Sequence, residues 1–161
     1  MAADKWYKNF MALVIRPYRE RDLHQTARLW AESWRSTGLD VALTASAAEL
    51  YADNLQRIPR EIGAGWDVFL AFDDDRPVGF IAMKRPARQL DQLFVSPEAQ
   101  GRGIGRMLID FAKRQLPDGF WLRTAANNRR ACAFYEREGC RRGETGRHLT
   151  LGHQTVIYHW P

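Results

Sequence analysis

The chain has 161 residues, of which 45% are hydrophobic and 27% charged, and its formal net charge is +5. This composition is typical of a single globular domain with a sizeable core, and it excludes a disordered or fibrous chain. No apolar run approaches the roughly 20 residues of a membrane span, and the apolar stretch at residues 11–15 is too short for a signal peptide. We therefore expect no membrane association.

The first third of the chain predicts one strand and two helices, at residues 12–16, 23–36 and 46–57. Asp22 is suited to cap the first helix and Gly38 to end it, whereas Pro59 is expected to begin a loop. Residues 1–10 precede a second methionine. We interpret them as either a flexible N-terminal extension or an alternative-start extension.

The rest of the chain alternates strands with two helices. Strands are predicted at residues 66–72, 78–83, 90–95, 120–124, 149–151 and 155–160. Helices are predicted at residues 104–116 and 129–138, and a loop at residues 141–146. No internal repeat or linker divides the sequence.

Three alternating glycines, Gly101, Gly103 and Gly105, separate the strand at residues 90–95 from the helix that follows. The first turn of a helix leaves backbone N–H groups without partners and favours negative charge, and glycines let a phosphate approach the backbone. On this motif alone, a tight turn without a ligand is an equally good interpretation. The Walker and dinucleotide-binding patterns both fail, because Arg106 and Leu108 occupy positions where they need other residues.

The same segment resembles a known signature. Gln100-x-x-Gly103-x-Gly105 is similar to the acyl-CoA-binding motif of the Gcn5-related N-acetyltransferases, the GNAT family, and it follows an apolar strand end and a proline as it does there. A second segment, Asn128-x-x-Ala131-x-x-Phe134-Tyr135-Glu136-x-x-Gly139, resembles the family's helix after the fifth strand. The order of predicted elements also agrees with that family across nearly the whole chain.

The resemblance implies a fold, a cofactor and a set of site residues. The fold is α/β (α+β), with one N-acetyltransferase domain at residues 11–161 and a mixed, mostly antiparallel sheet of six to seven strands flanked by about four helices. The cosubstrate is acetyl-CoA, without a metal. The cofactor-binding residues are Leu93, Phe94, Val95, Gln100, Gly101, Arg102, Gly103, Ile104, Gly105, Arg106 and Asn128.

The implied reaction moves an acetyl group to a primary amine by direct attack in a ternary complex. Freeing the lone pair of an alkyl ammonium at neutral pH costs roughly 4–5 kcal/mol, and Asp91, directly or through a water, is the candidate base. A backbone N–H near Val95, where the family's central strand bulges, is expected to stabilise the oxyanion. Tyr135 is expected to hydrogen-bond or protonate the leaving thiolate.

Each of these residues also has a purely structural interpretation. Asp91 could be a strand-edge acid paired with an arginine, and Tyr135 could belong to the core. Asn128 could only cap a helix, and Gln100 could only position the loop. Three aromatic residues are expected in the core, and one of them could line the acceptor pocket: Trp30, Trp34 and Tyr51.

The sequence leaves the acceptor open between a small-molecule amine and a protein amine, and it leaves a homodimer open. The basic residues are dispersed, which makes nucleic acid an improbable partner, although a non-catalytic acyl-CoA-binding or basic nucleic-acid-binding module is the alternative function. Cys132 and Cys140 form no disulfide framework, so a cytoplasmic location is expected. The four histidines are interpreted as ordinary polar residues, and metal binding is improbable.

Overall fold

A computed structural model describes residues 13–161. The interpretation of residues 1–10 lies outside this part of the chain. The strands are β1 (Leu13–Pro17), β2 (Asp67–Asp73), β3 (Arg76–Lys84), β4 (Gln89–Val95), β5 (Phe120–Ala125), β6 (Arg141–Arg147) and β7 (Gln154–Trp160). The helices are α1 (Leu23–Ser36), α2 (Ala47–Gly63), α3 (Ile104–Gln115) and α4 (Arg129–Arg137). Within residues 13–161, no helix has the length and apolar character needed to cross a bilayer.

The strands form one seven-stranded sheet in the order β1-β2-β3-β4-β5-β7-β6. All neighbouring strands are antiparallel except β4 and β5, which run parallel and pair only at Gln89 and Trp121. Beyond that single pair the two strands diverge and open a cleft in the middle of the sheet. The predicted fold class, a mixed and mostly antiparallel sheet flanked by four helices, is confirmed.

The helices cover both faces of the sheet and create two apolar layers. On one face, α3 and α4 bury residues such as Ile104 and Leu108 against β3 and β5. On the other face, α1 and α2 bury Trp30 and Ile58 against Phe80 and its neighbours. Strands β2 and β3 are consequently buried on both sides, which is why their sequences are nearly continuous apolar runs.

The second helix is longer than predicted, because Pro59 lies inside it and α2 continues to Gly63. A proline removes one helical hydrogen bond and costs roughly 3 kcal/mol in a helix interior. Ile58 is fully buried and Ile62 packs against the same apolar layer, so the helix is held on both sides of the proline. The helix begins with a capping box, in which the Ser46 hydroxyl accepts a hydrogen bond from the Glu49 N–H.

The prediction for residues 141–151 is wrong. The expected loop is the edge strand β6, and the expected strand at residues 149–151 lies in the turn that leads to β7. All residues of β6 are exposed, so its sequence carries no apolar alternation, and the strand forms because β7 offers a backbone to pair with. Leu149 points into solvent with 98% of its surface exposed, which removes the apolar contact that a buried strand would need.

The bulge in the central strand also lies elsewhere than predicted. The β3–β4 ladder is regular where Val95 faces Gly79, and its register shifts between Ala82 and Met83, which pair with Gln92 and Leu90. Asp91 is therefore the extra residue of the bulge. The bulge therefore lies at Asp91 and not near Val95.

Candidate active site

The glycine turn for which the sequence predicts anion binding lies between β4 and α3. Gly101 and Gly103 have φ values of +79° and +81°, which only glycine adopts without strain, and Gly103 is the residue before α3. The first backbone N–H groups of α3 point out of the helix toward a cavity of about 560 Å³. This cavity is the candidate cofactor cleft.

Nearly all predicted cofactor-binding residues line this cleft. They are Leu93, Phe94, Val95, Gln100, Gly101, Gly103, Ile104, Gly105, Arg106 and Asn128. The exception is Arg102, whose guanidinium pairs with the carboxylate of Asp73 at 2.9 Å and lies outside the lining. Two further cations that no motif singled out, Arg130 and Arg137, line the cleft beside Arg106. Three arginines around one cavity suit a ligand with several phosphate charges.

A second cavity, of about 350 Å³, lies on the other side of the opening between β4 and β5. Its walls include Trp30, Trp34 and Asp91, but Tyr51 is not among them. The two cavities share part of their lining, namely Thr37, Leu93, Phe94, Asn128, Ala131 and Tyr135. The two cavities therefore adjoin along these residues, of which Tyr135 is one. We call the second cavity the acceptor cavity.

Tyr135 lies on α4 at the junction of the two cavities and is 8% exposed. Burial raises the pKa of its phenol well above the usual value, and the nearby thiols of Cys140 and Cys132 raise it further. The hydroxyl therefore stays protonated throughout the physiological pH range. A phenol held in this state can donate a hydrogen bond to a negatively charged sulfur or oxygen.

Asp91 faces the acceptor cavity with its carboxylate already engaged. Oδ2 accepts a hydrogen bond from the Trp66 indole at 2.6 Å, and Oδ1 accepts one from the Gln89 amide at 3.0 Å. The ammonium of Lys84 lies 3.7 Å from Oδ2. The ion pair is thus with a lysine and not with the arginine considered from the sequence. Asp91 thus presents to this cavity a carboxylate whose two oxygens both accept a hydrogen bond.

Hydrogen bonds show a structural role for two of the predicted cofactor-binding residues. The side-chain oxygen of Asn128 accepts from the Ala131 N–H at 3.1 Å, so Asn128 caps α4 while also lining both cavities. The Gln100 amide donates to the backbone oxygen of Val95 at 3.3 Å, which ties the glycine turn to the strand before it. Gln100 thus positions the loop at the edge of the cofactor cleft.

Sequence reasoning missed two residues of the acceptor cavity, His148 and His153. They lie in the turn between β6 and β7, so their place depends on strand pairing that the local sequence did not predict. The only sequence feature that pointed to them was that they lie five residues apart, with Gly152 between them. Their imidazole rings stack on each other at the cavity wall.

The arrangement of sheet and helices is similar to that of solved acetyltransferases. The PaiA N-acetyltransferase of Thermoplasma acidophilum, solved with coenzyme A, superimposes with a TM-score of 0.72 at 22% identity, over 93% of this chain and 100% of that one. A sequence model described as "Acetyltransferase (GNAT) family" matches residues 23–140. The chain belongs to the GNAT family of acetyltransferases, which confirms the resemblance and the enzymatic activity predicted from it.

Relatives with a named activity are similar over most of the chain. The "Peptidyl-lysine N-acetyltransferase YjaB" of Salmonella typhimurium is 30% identical over 131 residues, which are 80% of this chain and 83% of that protein. The solution structure of apo-YjaB from Escherichia coli superimposes with a TM-score of 0.68 at 20% identity, over 92% of this chain and 97% of that one.

Proposed function

We propose that the enzyme transfers the acetyl group of acetyl-CoA to the ε-amino group of a lysine side chain in a protein or peptide. The observation that carries the proposal is the junction of the cofactor cleft and the acceptor cavity at Tyr135. A thioester lying in the cleft would end at this junction, where an amine entering from the other side could attack it. Both substrates would then be bound at the same time.

The cofactor half rests on charge and backbone geometry. The N-terminus of α3 presents N–H groups and the positive end of the helix dipole, and Gly103 leaves space beside them. Arg106, Arg130 and Arg137 add positive charge around the same cleft. Together these groups would bind the pyrophosphate of CoA, and the apolar ends of β4 would border its pantetheine chain.

The acceptor half rests on the shape and charge of the second cavity. Trp30 and Trp34 supply apolar walls, which suit the four methylene groups of a lysine side chain. Asp91 supplies a negative charge for the ammonium group at the end of that chain. The relatives named as peptidyl-lysine N-acetyltransferases support the same class of acceptor.

Direct attack is favoured because the described cysteines cannot form an acyl-enzyme. Cys132 and Cys140 are buried, and neither lines either cavity. Burial raises the pKa of the Cys140 thiol to about 11, so it is not a thiolate at neutral pH. The Ser33 hydroxyl, at the edge of the cleft, donates to the Val95 oxygen at 3.0 Å. The amine itself is therefore the proposed nucleophile.

The backbone of β4 supplies the proposed oxyanion donor. Val95 and Gly79 form a non-hydrogen-bonded pair, because the Ser96 N–H donates to the Val78 oxygen at 2.8 Å. The N–H of Val95 accordingly points away from β3 and into the opening toward β5. As the N–C bond forms, that N–H would stabilise the charge on the carbonyl oxygen. As the C–S bond breaks, the Tyr135 hydroxyl would stabilise the thiolate.

We also propose a cytoplasmic location. Cys132 and Cys140 are free thiols, as is usual in a reducing compartment. A reporter fusion to the full chain, with fractionation of the cells, would test this location.

The acetyl transfer is tested by incubating the purified enzyme with acetyl-CoA and a library of lysine-containing peptides. Mass spectrometry should find an added acetyl group on lysine side chains, and free CoA should appear in equal amount. Initial rates at varied concentrations of both substrates should give intersecting double-reciprocal lines, as expected for a ternary complex. Release of CoA before any amine is added would contradict direct attack, and turnover confined to small amines would contradict the lysine acceptor.

A further inference from the structure

The walls of the acceptor cavity carry more positive than negative charge. Among residues 13–161, they include two arginines, Arg57 of α2 and Arg123 of β5, and one carboxylate, Asp91 of β4. That carboxylate already lies 3.7 Å from the ammonium group of Lys84. A lysine ammonium group that enters the cavity therefore meets two cations and an acid that is already paired.

The two histidines of the cavity add no charge at neutral pH. Burial lowers the pKa of His153. Burial also lowers the pKa of His148, and the positive charges of His153, Arg123 and Arg57 lower it further. Both guanidinium groups therefore act on the same imidazole ring in the cavity wall.

Aromatic rings hold the guanidinium group of Arg57 at this wall. Its Cζ lies 4.7 Å from the ring centroid of Trp30, which lines the cavity, and 5.9 Å from that of Trp66. The Trp66 indole in turn donates its hydrogen bond to Asp91. A single indole ring therefore lies between the cation of Arg57 and the carboxylate that is proposed to attract the ammonium group.

The acids near these arginines leave positive charge without a counter-charge. The Glu61 carboxylate lies 3.7 Å from Arg57 and 4.0 Å from Lys84, so it is shared between cations. Arg123 is exposed beside the ring of Trp121, and it forms no ion pair within the part of the chain that the structure describes. Neither Arg57 nor Arg123 lines the cofactor cleft, so a pyrophosphate bound in that cleft is not their counter-charge.

A carboxylate is the group that this arrangement fits. A guanidinium group is always charged and presents planar pairs of N–H donors that match the two oxygens of a carboxylate. A substrate that carried both an ammonium group and a carboxylate would place each charge against its opposite, at Asp91 and at the arginines. An ammonium group alone would add to the positive charge of a partly enclosed space, where charges are screened less than in bulk water.

We propose that the acceptor is a lysine with a carboxylate beside it, and that Arg123 and Arg57 bind this carboxylate while Asp91 attracts the ammonium group. The inference rests on the proposed acetyl transfer and narrows its acceptor. The carboxylate belongs either to an Asp or Glu side chain next to the lysine or to the α-carboxyl group of a lysine at the end of a chain. Both sources present the same charge and the same two oxygens.

The test uses capped peptides that hold one lysine and differ in the residues on either side of it, which are glutamate, glutamine or arginine. The wild type should acetylate the glutamate peptide with a kcat/KM about 10-fold or more above that of the glutamine peptide, and the arginine peptide should be slowest. Added salt should reduce the difference. A glutamine peptide that ends in lysine, with its carboxyl group free or amidated, separates a terminal carboxylate from a side chain.

Variants of the two arginines test which groups recognise the carboxylate. Arg123→Gln should lower the glutamate-to-glutamine ratio of kcat/KM by about 5-fold or more, and Arg123→Glu should favour the arginine peptide. Arg57→Met keeps an apolar stem over Trp30 and should also lower the ratio. Arg141→Gln, which removes an exposed cation of β6 outside both cavities, is the matched control and should keep the wild-type ratio. Calorimetry should give the same CoA affinity for all variants.

The outcomes separate this inference from the proposed function. Equal kcat/KM values of the wild type on all peptides would overturn the inference and leave acetyl transfer to lysine in place. A glutamate preference that persists in full in Arg123→Gln and Arg57→Met would overturn it as well, because another group would then bind the carboxylate. An equal loss of rate on every peptide would make the arginines structural. A wild type that acetylates no lysine peptide would overturn the proposed transfer, and this inference with it.

Discussion

The indole Nε1 of Trp66 donates a 2.6 Å hydrogen bond to Oδ2 of Asp91. Trp66 is buried in the connection between α2 and β2, and Asp91 is the bulge residue of β4. The bond therefore joins Trp66, in the apolar layer between α2 and the sheet, to Asp91, in the wall of the acceptor cavity. It holds the carboxylate in one orientation, with the Lys84 ammonium 3.7 Å away. The proposed attraction of an ammonium group by Asp91 would therefore depend on Trp66, a core residue.

Replacing Asp91 with asparagine should weaken acceptor binding. Asp91→Asn keeps the size of the side chain but removes the negative charge that attracts the ammonium group. An interaction between a charge and its hydrogen-bonded partner contributes roughly 1.5–3 kcal/mol, so KM for the peptide should rise by about 10- to 100-fold. Steady-state kinetics would measure it. Asp67→Asn, which removes a carboxylate paired with Arg85 outside the cavity, is the control. Equal KM values in wild type and Asp91→Asn would contradict the role.

Removing the Tyr135 hydroxyl should slow the chemical step. Tyr135→Phe keeps the buried ring, so the melting temperature and CoA affinity should stay close to those of the wild type, while kcat should fall by about 10- to 1000-fold. A thioester with a better leaving thiol should be less affected. Because burial keeps the phenol protonated, removing the Tyr135 hydroxyl should leave the basic side of the pH–rate profile unchanged below pH 10. Tyr51→Phe loses a hydroxyl bonded to His24 and serves as the control.

Two outcomes would contradict this role of the Tyr135 hydroxyl. Full turnover by Tyr135→Phe, measured where chemistry limits the rate, would remove the hydroxyl from the mechanism. A joint loss of stability and CoA binding would instead make the hydroxyl a structural group.

A side chain at Gly103 should block the cofactor. Nothing lies within 4 Å of a Cβ built there, so Gly103→Val meets no protein atoms, but the φ of +81° is strained for valine by about 1–2 kcal/mol. Calorimetry with CoA should show at least a 10-fold loss of affinity, because the valine would occupy the space of a phosphate.

Gly139→Val is the matched control for Gly103→Val. Gly139 has a φ of +88°, has equal space around it, and lies outside the cofactor cleft. Both variants should lose similar stability, and only Gly103→Val should lose CoA affinity. Equal CoA affinity in the two variants would remove the turn from the site.

Acid should destabilise the fold through Asp22. Arg16 donates hydrogen bonds of 2.8 and 2.9 Å to this buried carboxylate and holds its pKa below the usual value, although burial opposes the shift. The unfolded chain takes up the proton first, so the stabilisation is present above about pH 3.8 and is lost as the pH falls below that value. Asp22→Asn should cost about 1.5–3 kcal/mol at pH 7 and remove this dependence.

Urea unfolding at several pH values would measure that dependence. Asp40→Asn, at an exposed position at the start of a short turn, should leave the curve unchanged. A parallel acid loss in Asp22→Asn and the wild type would place the titrating group elsewhere.

The sequence by itself determined the features whose causes are local. The strand, glycine turn and helix around Gly103 follow from residues that are neighbours in the chain, as do the cap at Asn128 and the position of Tyr135 on the next helix. The apolar runs of β2 and β3 predicted two central strands, because burial on both faces leaves no room for polar residues. From these the family and its fold could be named.

Only the tertiary structure decided which distant side chains share a cavity. The edge strand β6 forms because β7 offers it hydrogen bonds, and its sequence therefore shows no apolar pattern. The pairing of β6 with β7 places His148 and His153, which lie in the turn between them, at the acceptor cavity. Pro59 stays helical because buried neighbours outweigh its local cost. The indole that bonds Asp91 comes from Trp66, on another element of the chain. Such contacts join residues far apart in sequence, and periodicity and turn chemistry describe only neighbours.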